Sequence, residues 1–389
     1  MKICHVITRF ILGGAQENTL ATLLGLAGNG HNVTLITGPS PGREGKLLDF
    51  FPELKKKLPF RLIIEPHLIR PVHPYHDFAA YQNLKKFFAK EKFDIIHTHS
   101  SKAGVLGRLA ARKIRKSGKS KVVHTIHGLA FDEFQPCWKN KLYIAAEQRC
   151  AKSSDAIISV CDTMTKQALT ANIGTNNLFH TIYSGFDVSI FKNAANNHEY
   201  FRKQLKISKD TIVLLTISRL FPMKGIELFM KIIKTTEKKC NCLVKGIILG
   251  DGPLRSEFEI FAKKNLPENS VIFAGLTSPE NIPDYIAASD IIVHASLREG
   301  LARVLVQGLA GGKPVVTYDI GGAKEVVKNN LNGFICPPGD DKQFTKHVVN
   351  LINNKEDFER LTTGAKETNL EQFSTERMVK KIEKLYGEI

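Results

Sequence analysis

The sequence predicts an α/β protein built of two doubly wound domains, and three observations lead to that prediction. Its 389 residues are about twice the length of a usual single domain. Short apolar runs alternate with amphipathic helical stretches along nearly the whole chain. The alternation breaks near residues 184–199 and then resumes. Apolar strands separated by helices are typical of parallel sheets that are covered on both faces.

The first half of the chain predicts one such sheet, since right-handed crossovers between parallel strands give a doubly wound domain. Strands are expected at Ile3–Thr8, Asn32–Thr37, Arg61–Glu65, Asp94–Thr98, Val122–Ile126, Ala156–Val160 and Phe179–Tyr183. Helices are expected at Gln16–Ala27, Phe78–Ala89, Ala103–Lys116 and Lys141–Lys152.

A linker is expected at Asp187–His198, which is rich in Asn and has no periodicity, and a second α/β series follows it. Its strands are predicted at Ile212–Ile217, Val244–Leu249, Val271–Phe273, Ile291–His294, Pro314–Thr317 and Phe334–Cys336. Its helices are predicted at Ile226–Lys234, Leu254–Lys263, Val304–Ala310, Lys342–Asn353, Lys355–Glu367 and Thr375–Leu385. Two such domains facing each other would leave a cleft lined by the carboxyl ends of strands, where open α/β sheets bind ligands.

Composition excludes several classes of protein. Hydrophobic residues make up 43% and charged residues 24% of the chain, which is ordinary globular usage rather than disorder or collagen. No apolar run approaches the ~18 residues that cross a bilayer, and Met1–Thr8 has the pattern of a strand rather than a signal peptide. The seven cysteines are scattered without a CxxC pair, which favours reduced thiols. We therefore expect a cytoplasmic protein.

The net charge of +17 is concentrated in the first half of the chain. The densest group of basic residues is Arg108, Arg112, Lys113, Arg115, Lys116, Lys119 and Lys121. Such a patch attracts phosphate, whether on nucleic acid, on an anionic membrane surface or on a phosphorylated substrate. A solvated helix face explains it equally well.

Two loops after strands carry groups suited to an anion. Gly13 and Gly14 follow the first strand and open a helix, where backbone N–H groups can approach an anion, although a plain turn also explains them. Their spacing is not the GxGxxG fingerprint, which counts against a dinucleotide-dependent dehydrogenase. Arg219 and Lys224 follow the first strand of the second domain and, with Gly225 at the helix start, suit a diphosphate.

The stretch Ser296–Gln307 is the most informative, because it joins a buried strand to an apolar helix. Glu299 and Gly300 lie in its loop, where a carboxylate and backbone amides can converge on a ligand hydroxyl. Gln307 lies inside the following helix and requires a hydrogen-bond partner there, which a buried protein group could also supply.

Four histidines lie at two strand ends of the first domain: His97, His99, His124 and His127. At least one is expected to be functional. Their spacing alone permits metal ligation, but no DxD pair or cysteine accompanies them. We therefore expect a hydrogen-bonding or catalytic role, and no metal.

A set of motifs follows in order along essentially the whole chain: Gly13-Gly14, His127-Gly128, Tyr183-Ser-Gly185-Phe-Asp187, Ser218-Arg219 with Lys224-Gly225, Gly250-Asp-Gly-Pro253, Glu299-Gly300-Leu301 and Gly321-Gly322 with Glu325. In its order and spacing, this set resembles the family 4 retaining glycosyltransferases of the GT-B fold. The segment His99–Gly104 with Gly107-Arg108 is similar to the subgroup that acts on polysaccharide or lipid-linked acceptors.

The resemblance implies two facing Rossmann-like domains with a cleft between them. The acceptor-side domain would span residues 1–187, joined by a C-terminal helix at about 374–389, and the nucleotide-sugar domain would span 188–373.

The resemblance also implies roles for single residues. Arg219 and Lys224 would hold the donor diphosphate near Gly13 and Gly14. Glu299, with the amides of Gly300 and Leu301 and the neighbouring Val304, would bind the donor, and His127 would contact the sugar near the reacting carbon. The second acid of the family's E-x7-E motif falls at Gln307, so ribose would be held here by an amide.

The implied reaction moves a sugar from a nucleoside diphosphate sugar, with UDP favoured, to an acceptor hydroxyl with retention and without a cofactor. The partners would be the nucleotide sugar, a glycan or lipid-linked acceptor and the anionic inner face of a membrane. A GT-B sugar-nucleotide epimerase, a non-catalytic relative and a basic nucleic-acid-binding protein are the alternatives, although a single Trp argues against base stacking.

Overall fold

The computed structural model describes residues 1–40, 45–194, 197–240 and 242–389. These residues form two compact units. The amino-terminal unit comprises Met1–Phe186 and Gln372–Ile389, and the carboxy-terminal unit comprises Asp187–Glu371. No helix in the described ranges is both long enough and apolar enough to span a bilayer.

The amino-terminal unit contains a seven-stranded parallel sheet in the order β3-β2-β1-β4-β5-β6-β7. Its strands are β1 (Lys2–Ile7), β2 (Asn32–Thr37), β3 (Arg61–Ile64), β4 (Ile95–His99), β5 (Lys121–Ile126), β6 (Ala156–Ser159) and β7 (Phe179–Thr181). Its helices are α1 (Gly14–Gly28), α2 (Pro52–Lys56), α3 (Pro74–Glu91), α4 (Ser101–Lys116), α5 (Cys137–Ala151) and α6 (Asp162–Thr170).

Residues of β1 alternate between two separate cores, as the period of two in a strand requires. Ile3 and Ile7 pack into a cluster with Leu20, Leu23 and Leu26 of α1. Cys4 and Val6 point to the other face, where residues of α3 and α4 cover them. The sheet therefore has helices on both faces, and His5 lies on the same side as Ile3 and Ile7.

The carboxy-terminal unit repeats this architecture with a six-stranded parallel sheet in the order β10-β9-β8-β11-β12-β13. Its strands are β8 (Ile212–Ile217), β9 (Val244–Leu249), β10 (Val271–Gly275), β11 (Ile291–His294), β12 (Val315–Tyr318) and β13 (Gly333–Cys336). Its helices are α7 (Ser189–Ala194), α8 (His198–Gln204), α9 (Ile226–Cys240), α10 (Arg255–Asn265), α11 (Ile282–Ala288), α12 (Arg303–Ala310), α13 (Ala323–Val326), α14 (Asp341–Asn353) and α15 (Lys355–Glu367).

The predicted linker at Asp187–His198 is wrong for most of its length. Residues Ser189–Ala194 form α7, and His198 begins α8, while residues 195 and 196 lie outside the described ranges. Phe191 and Ala194 are buried, and α7 packs on α11 and α12. Tertiary burial of two apolar residues thus supports a short helix that sequence periodicity does not reveal.

The last helix, α16 (Thr375–Glu388), belongs to the amino-terminal unit. It begins at a cap in which Arg377 N donates to Ser374 Oγ over 3.2 Å. Val379 packs so closely on α1 that a Cβ at Gly25 would lie 2.5 Å from its Cγ2. Met378, Ile382 and Leu385 join the same core as Ile3 and Ile7, so the end of the chain completes the amino-terminal core.

Both sheets reverse their strand order beside a central strand. The reversal lies between β1 and β4 in the first unit and between β8 and β11 in the second. At such a point the loops that follow the two strands run to opposite sides of the sheet, and a crevice opens at the carboxyl edge. Loops after β8 and β11 are therefore expected to present side chains to the same ligand.

Candidate functional site

The loops after β8 and β11 meet through an ion pair between two predicted site residues. Lys224 Nζ lies 2.6 Å from Glu299 Oε1, and it also donates to the backbone oxygen of Arg298 over 2.9 Å. The side chains are only 14% and 20% exposed, so the pair is much better shielded from water than a surface ion pair. The structure thus brings together two residues that are 75 positions apart in the sequence.

Backbone contacts hold these two loops in place. Leu297 N donates to Met223 O over 2.9 Å, which joins the loops just beside the ion pair. Gly225 has a φ of +71°, and a Cβ at this position would lie 2.2 Å from Ala295 O. Only glycine fits there, so this residue is what lets Lys224 approach Glu299.

A third group at this site, His294, was missed at the sequence level. It is the last residue of β11, it is buried, and its Nε2 lies 3.3 Å from Glu299 Oε1. Burial alone would raise the pKa of Glu299, but Lys224 and His294 outweigh it and hold that pKa well below its usual range. Glu299 is therefore an ionised hydrogen-bond acceptor at neutral pH.

The backbone after Glu299 is fixed by the next loop of the sheet. Gly322 N donates to Gly300 O over 2.8 Å, and a Cβ at Gly321, where φ is +55°, would lie 2.1 Å from the same oxygen. Leu301, Val304 and Gln307 are all buried, Gln307 with 5% of its surface exposed on α12. These predicted donor-binding residues therefore form a buried segment that follows Glu299 in the sequence.

Arg219, predicted to act with Lys224, lies in the loop that follows β8. It is exposed, and its guanidinium carbon lies 5.1 Å from the centre of the Phe221 ring. Stacking on an aromatic ring holds a guanidinium in a defined direction.

The remaining predicted site residues lie in the amino-terminal unit. Helix α1 begins at Gly14, which is exposed, and Gly13 precedes it in an extended conformation and accepts a bond of 2.9 Å from Glu17 N. His127 follows β5 and lines a pocket of about 240 Å³ together with His124, Ser100, Ser101 and Glu147. Burial lowers the pKa of His127 to about 4, so its imidazole is neutral at physiological pH.

The other strand-end histidines are buried, and their ring nitrogens make hydrogen bonds. His97 bonds to Tyr386 Oη of α16 over 2.5 Å and to Thr125 Oγ1 over 2.7 Å. His124 Nδ1 donates to Thr98 O over 3.0 Å. His5, His97 and His99 place nitrogens within 4.8 Å of one another, but five of their six ring nitrogens make hydrogen bonds. This cluster is a hydrogen-bonded network, which a bound metal would have to disrupt.

Two doubly wound units with parallel sheets in one chain are the architecture of the GT-B class of glycosyltransferases. Comparison with known families agrees. Residues 12–190 match the family described as Glycosyltransferase Family 4, and residues 197–368 match Glycosyl transferases group 1. The chain belongs to the family 4 glycosyltransferases and is an enzyme that acts on nucleotide sugars.

Curated relatives match over nearly the whole length. The UDP-Gal:alpha-D-GlcNAc-diphosphoundecaprenol alpha-1,3-galactosyltransferase of Escherichia coli is 28% identical, over 99% of this chain and 96% of its own. The N-acetyl-alpha-D-glucosaminyl L-malate synthase of Bacillus anthracis is 24% identical, over 94% of this chain and 91% of its own.

Solved structures share the fold at lower identity. Anabaena Alr3699/HepE in complex with UDP-glucose has a TM-score of 0.81 at 22% identity, with all of both chains covered. WaaG, a glycosyltransferase involved in lipopolysaccharide biosynthesis, has a TM-score of 0.77 at 15% identity, over 98% of this chain and 99% of its own.

Proposed function

We propose that this enzyme moves a sugar from a UDP-sugar to a hydroxyl of a lipid-linked or polysaccharide intermediate in cell-surface glycan synthesis, with retention of the anomeric configuration. The observation that carries the proposal is the ion pair of Lys224 and Glu299 at the carboxyl edge of the second sheet. The names of the relatives support the substrate classes, since one uses UDP-Gal with a diphosphoundecaprenol-linked sugar and one solved structure holds UDP-glucose.

Lys224 is suited to hold a phosphate while it orients Glu299. An ammonium group has three donors, and two of them are used by Arg298 O and Glu299 Oε1. Within the described ranges these are its two acceptors, so the third N–H would serve a phosphate oxygen of the donor. As the sugar–phosphate bond breaks, negative charge grows on the leaving diphosphate, and Lys224 and Arg219 would stabilise it.

Glu299 is better suited to bind sugar hydroxyls than to attack the anomeric carbon. Its Oε1 lies close to both Lys224 and His294, which lower its pKa. A carboxylate with a depressed pKa is a weak base and a weak nucleophile. This favours a same-face mechanism, in which the leaving phosphate accepts the proton of the incoming hydroxyl. The amide of Gln307 would hold the ribose of the donor.

An assay with and without acceptor tests this function. We expect UDP release from a UDP-sugar panel only when a polyprenyl-diphosphate-linked sugar is present, because transfer needs the incoming hydroxyl. The proton NMR spectrum of the product should show that the transferred sugar has the same anomeric configuration as in the donor. Sugar epimerisation without acceptor would favour the epimerase instead, and an inverted product would exclude the same-face mechanism.

We propose further that the enzyme works at the cytoplasmic face of the membrane, docked through its amino-terminal unit. The start of α5 exposes large apolar side chains, with Phe134, Trp138 and Leu142 exposed by 45%, 65% and 61%. Lys139 Nζ lies 5.5 Å from the centre of the Trp138 ring, and Lys141 is also exposed. Apolar and aromatic side chains flanked by lysines are typical of surfaces that bind anionic bilayers.

Sedimentation with phosphatidylglycerol-containing vesicles tests the docking surface. We expect binding at low salt that weakens at high salt, because exposed charges are screened. The substitution Trp138→Ser should weaken binding about tenfold, since an interfacial side chain of this size contributes about 1–2 kcal/mol. Leu243→Ser, which removes a 66% exposed side chain of the carboxy-terminal unit, is the control. Equal binding by both variants would contradict the proposal.

A further inference from the structure

Three histidines of the amino-terminal unit form a continuous hydrogen-bonded chain. His5 Nδ1 lies 2.9 Å from His99 Nε2, and His99 Nδ1 lies 3.1 Å from His127 Nε2. The rings also stack, with centroids 5.2 Å apart for the first pair and 5.3 Å apart for the second. The chain therefore runs from the buried strand β1 through β4 to the loop after β5.

Strand register explains why these side chains meet. His5 pairs with His97 across β1 and β4, and His99 pairs with Thr125 across β4 and β5, so the alternating residues of all three strands point to one face. His5 and His99 are 0% and 1% exposed, whereas His127 lines the pocket. Only the last ring of the chain is therefore placed to contact a ligand.

All three imidazoles are neutral at physiological pH. Burial lowers the pKa of His5 to about 3 and that of His127 to about 4, and it lowers the pKa of His99 well below its usual value. A neutral imidazole carries one N–H donor and one acceptor nitrogen. The middle ring must then donate at one side and accept at the other, so the chain has a direction.

His5, at the inner end of the row of three histidines, indicates the direction in which the hydrogen bonds are donated. His5 Nε2 is buried and has no hydrogen-bond partner within the described part of the chain. A buried N–H without an acceptor is rarer and more costly than a nitrogen lone pair without a donor. His5 therefore carries its proton on Nδ1 and donates to His99, and His99 in turn donates from Nδ1 to His127 Nε2.

We propose that His5 and His99 are positioning residues that fix His127 as the Nδ1–H tautomer, so that it presents a hydrogen-bond donor to the bound substrate. Its role toward substrate rests on the proposed function, whereas the tautomer itself does not. A donor at this place would bind a sugar hydroxyl or a phosphate oxygen and could not act as a base. The sequence suggested His99 and His127 separately, but only the structure shows that His5 sets the state of both.

Nitrogen-15 spectra of the histidine side chains at pH 7 test the tautomer without any turnover. His198 is an internal reference, because its Nδ1 lies 2.6 Å from the backbone oxygen of Ala287 and must carry the proton. We expect His127 to show the same Nδ1–H signature as His198. An Nε2–H signature for His127 in the unaltered enzyme would overturn the proposal, whatever the activity.

Two substitutions at His5 connect the tautomer to catalysis. His5→Leu removes the donor, whereas His5→Asn keeps an amide N–H where Nδ1 lies. We expect His5→Leu to lose the Nδ1–H signature of His127 and to lower kcat about tenfold, because tautomer and orientation are set by the partner of the other ring nitrogen. His5→Asn should restore both within about threefold.

The results of these experiments distinguish the proposed tautomer of His127 from its proposed role in sugar transfer. An unchanged signature in His5→Leu would overturn the positioning role. A correct signature in the unaltered enzyme, combined with full transfer activity in His127→Leu, would leave the tautomer assignment standing and overturn the proposed role of His127 in transfer.

Discussion

Replacing Lys224 and Arg219 together by alanine is expected to lower kcat/KM for the nucleotide sugar about 100- to 1,000-fold, because the variant loses the two charges that we propose stabilise the leaving diphosphate. Lys224→Ala also leaves Glu299 without its closest cation, 2.6 Å away in the intact enzyme. The pKa of Glu299 should then rise, since burial is no longer offset by Lys224. Initial rates at varied UDP-sugar and fixed acceptor measure the effect.

A surface lysine of the same unit provides the control for this experiment. Lys231 on α9 makes an exposed ion pair with Glu227, and Lys231→Ala should leave kcat/KM unchanged. Lys224→Gln alone separates charge from shape, because it keeps donors near Glu299. If the double alanine variant loses less than about tenfold, or ~1.4 kcal/mol, then these cations do not hold the diphosphate.

Replacing Glu147 by Gln is expected to destabilise the amino-terminal unit by about 3–5 kcal/mol, the usual cost of removing one partner of a buried ion pair. The Arg108 side chain is fully buried, its Nη2 donates to Glu147 Oε2 over 2.7 Å, and its Nε donates to Gly104 O over 2.8 Å. Its Nη1 has no hydrogen-bond partner within the described ranges. Without the carboxylate, the guanidinium charge stays in the core uncompensated.

Urea unfolding followed by circular dichroism measures this loss of stability. Arg108→Met combined with Glu147→Leu is the matched control, since replacing both charges by apolar groups should recover most of the stability. Glu199→Gln, which removes one partner of an exposed pair with Lys209, should change stability by less than about 1 kcal/mol. A Glu147→Gln variant as stable as the parent would show that the ion pair makes no net contribution to the free energy of unfolding.

Much of the fold could be predicted because strand burial and strand sequence agree here. The bounds of β2, β8, β9 and β11 are those expected from the apolar runs, since each strand is covered on both faces and bounded by polar turns. Helix α7 was missed because Phe191 and Ala194 are too few to show a period, and its burial depends on contacts with α11 and α12, which are distant in the sequence.

The candidate site was predictable only where it follows strand ends. Lys224 and Glu299 could be placed in loops after central strands, and the switch-point geometry indicates that such loops meet. His5 and His294 were not found in this way, because His5 lies inside β1 and His294 is the last residue of β11 rather than part of the loop that follows it. Their partners come from other parts of the chain, and no local pattern encodes such contacts.

The placement of α16 has a consequence for biosynthesis. Since α16 completes the core that β1 and α1 begin, the whole carboxy-terminal unit must be synthesised before the amino-terminal unit can bury that core. Tyr386, which bonds to His97, is synthesised 289 residues after it. Synthesis of the amino-terminal unit therefore begins before that of the carboxy-terminal unit, but its folding is completed later.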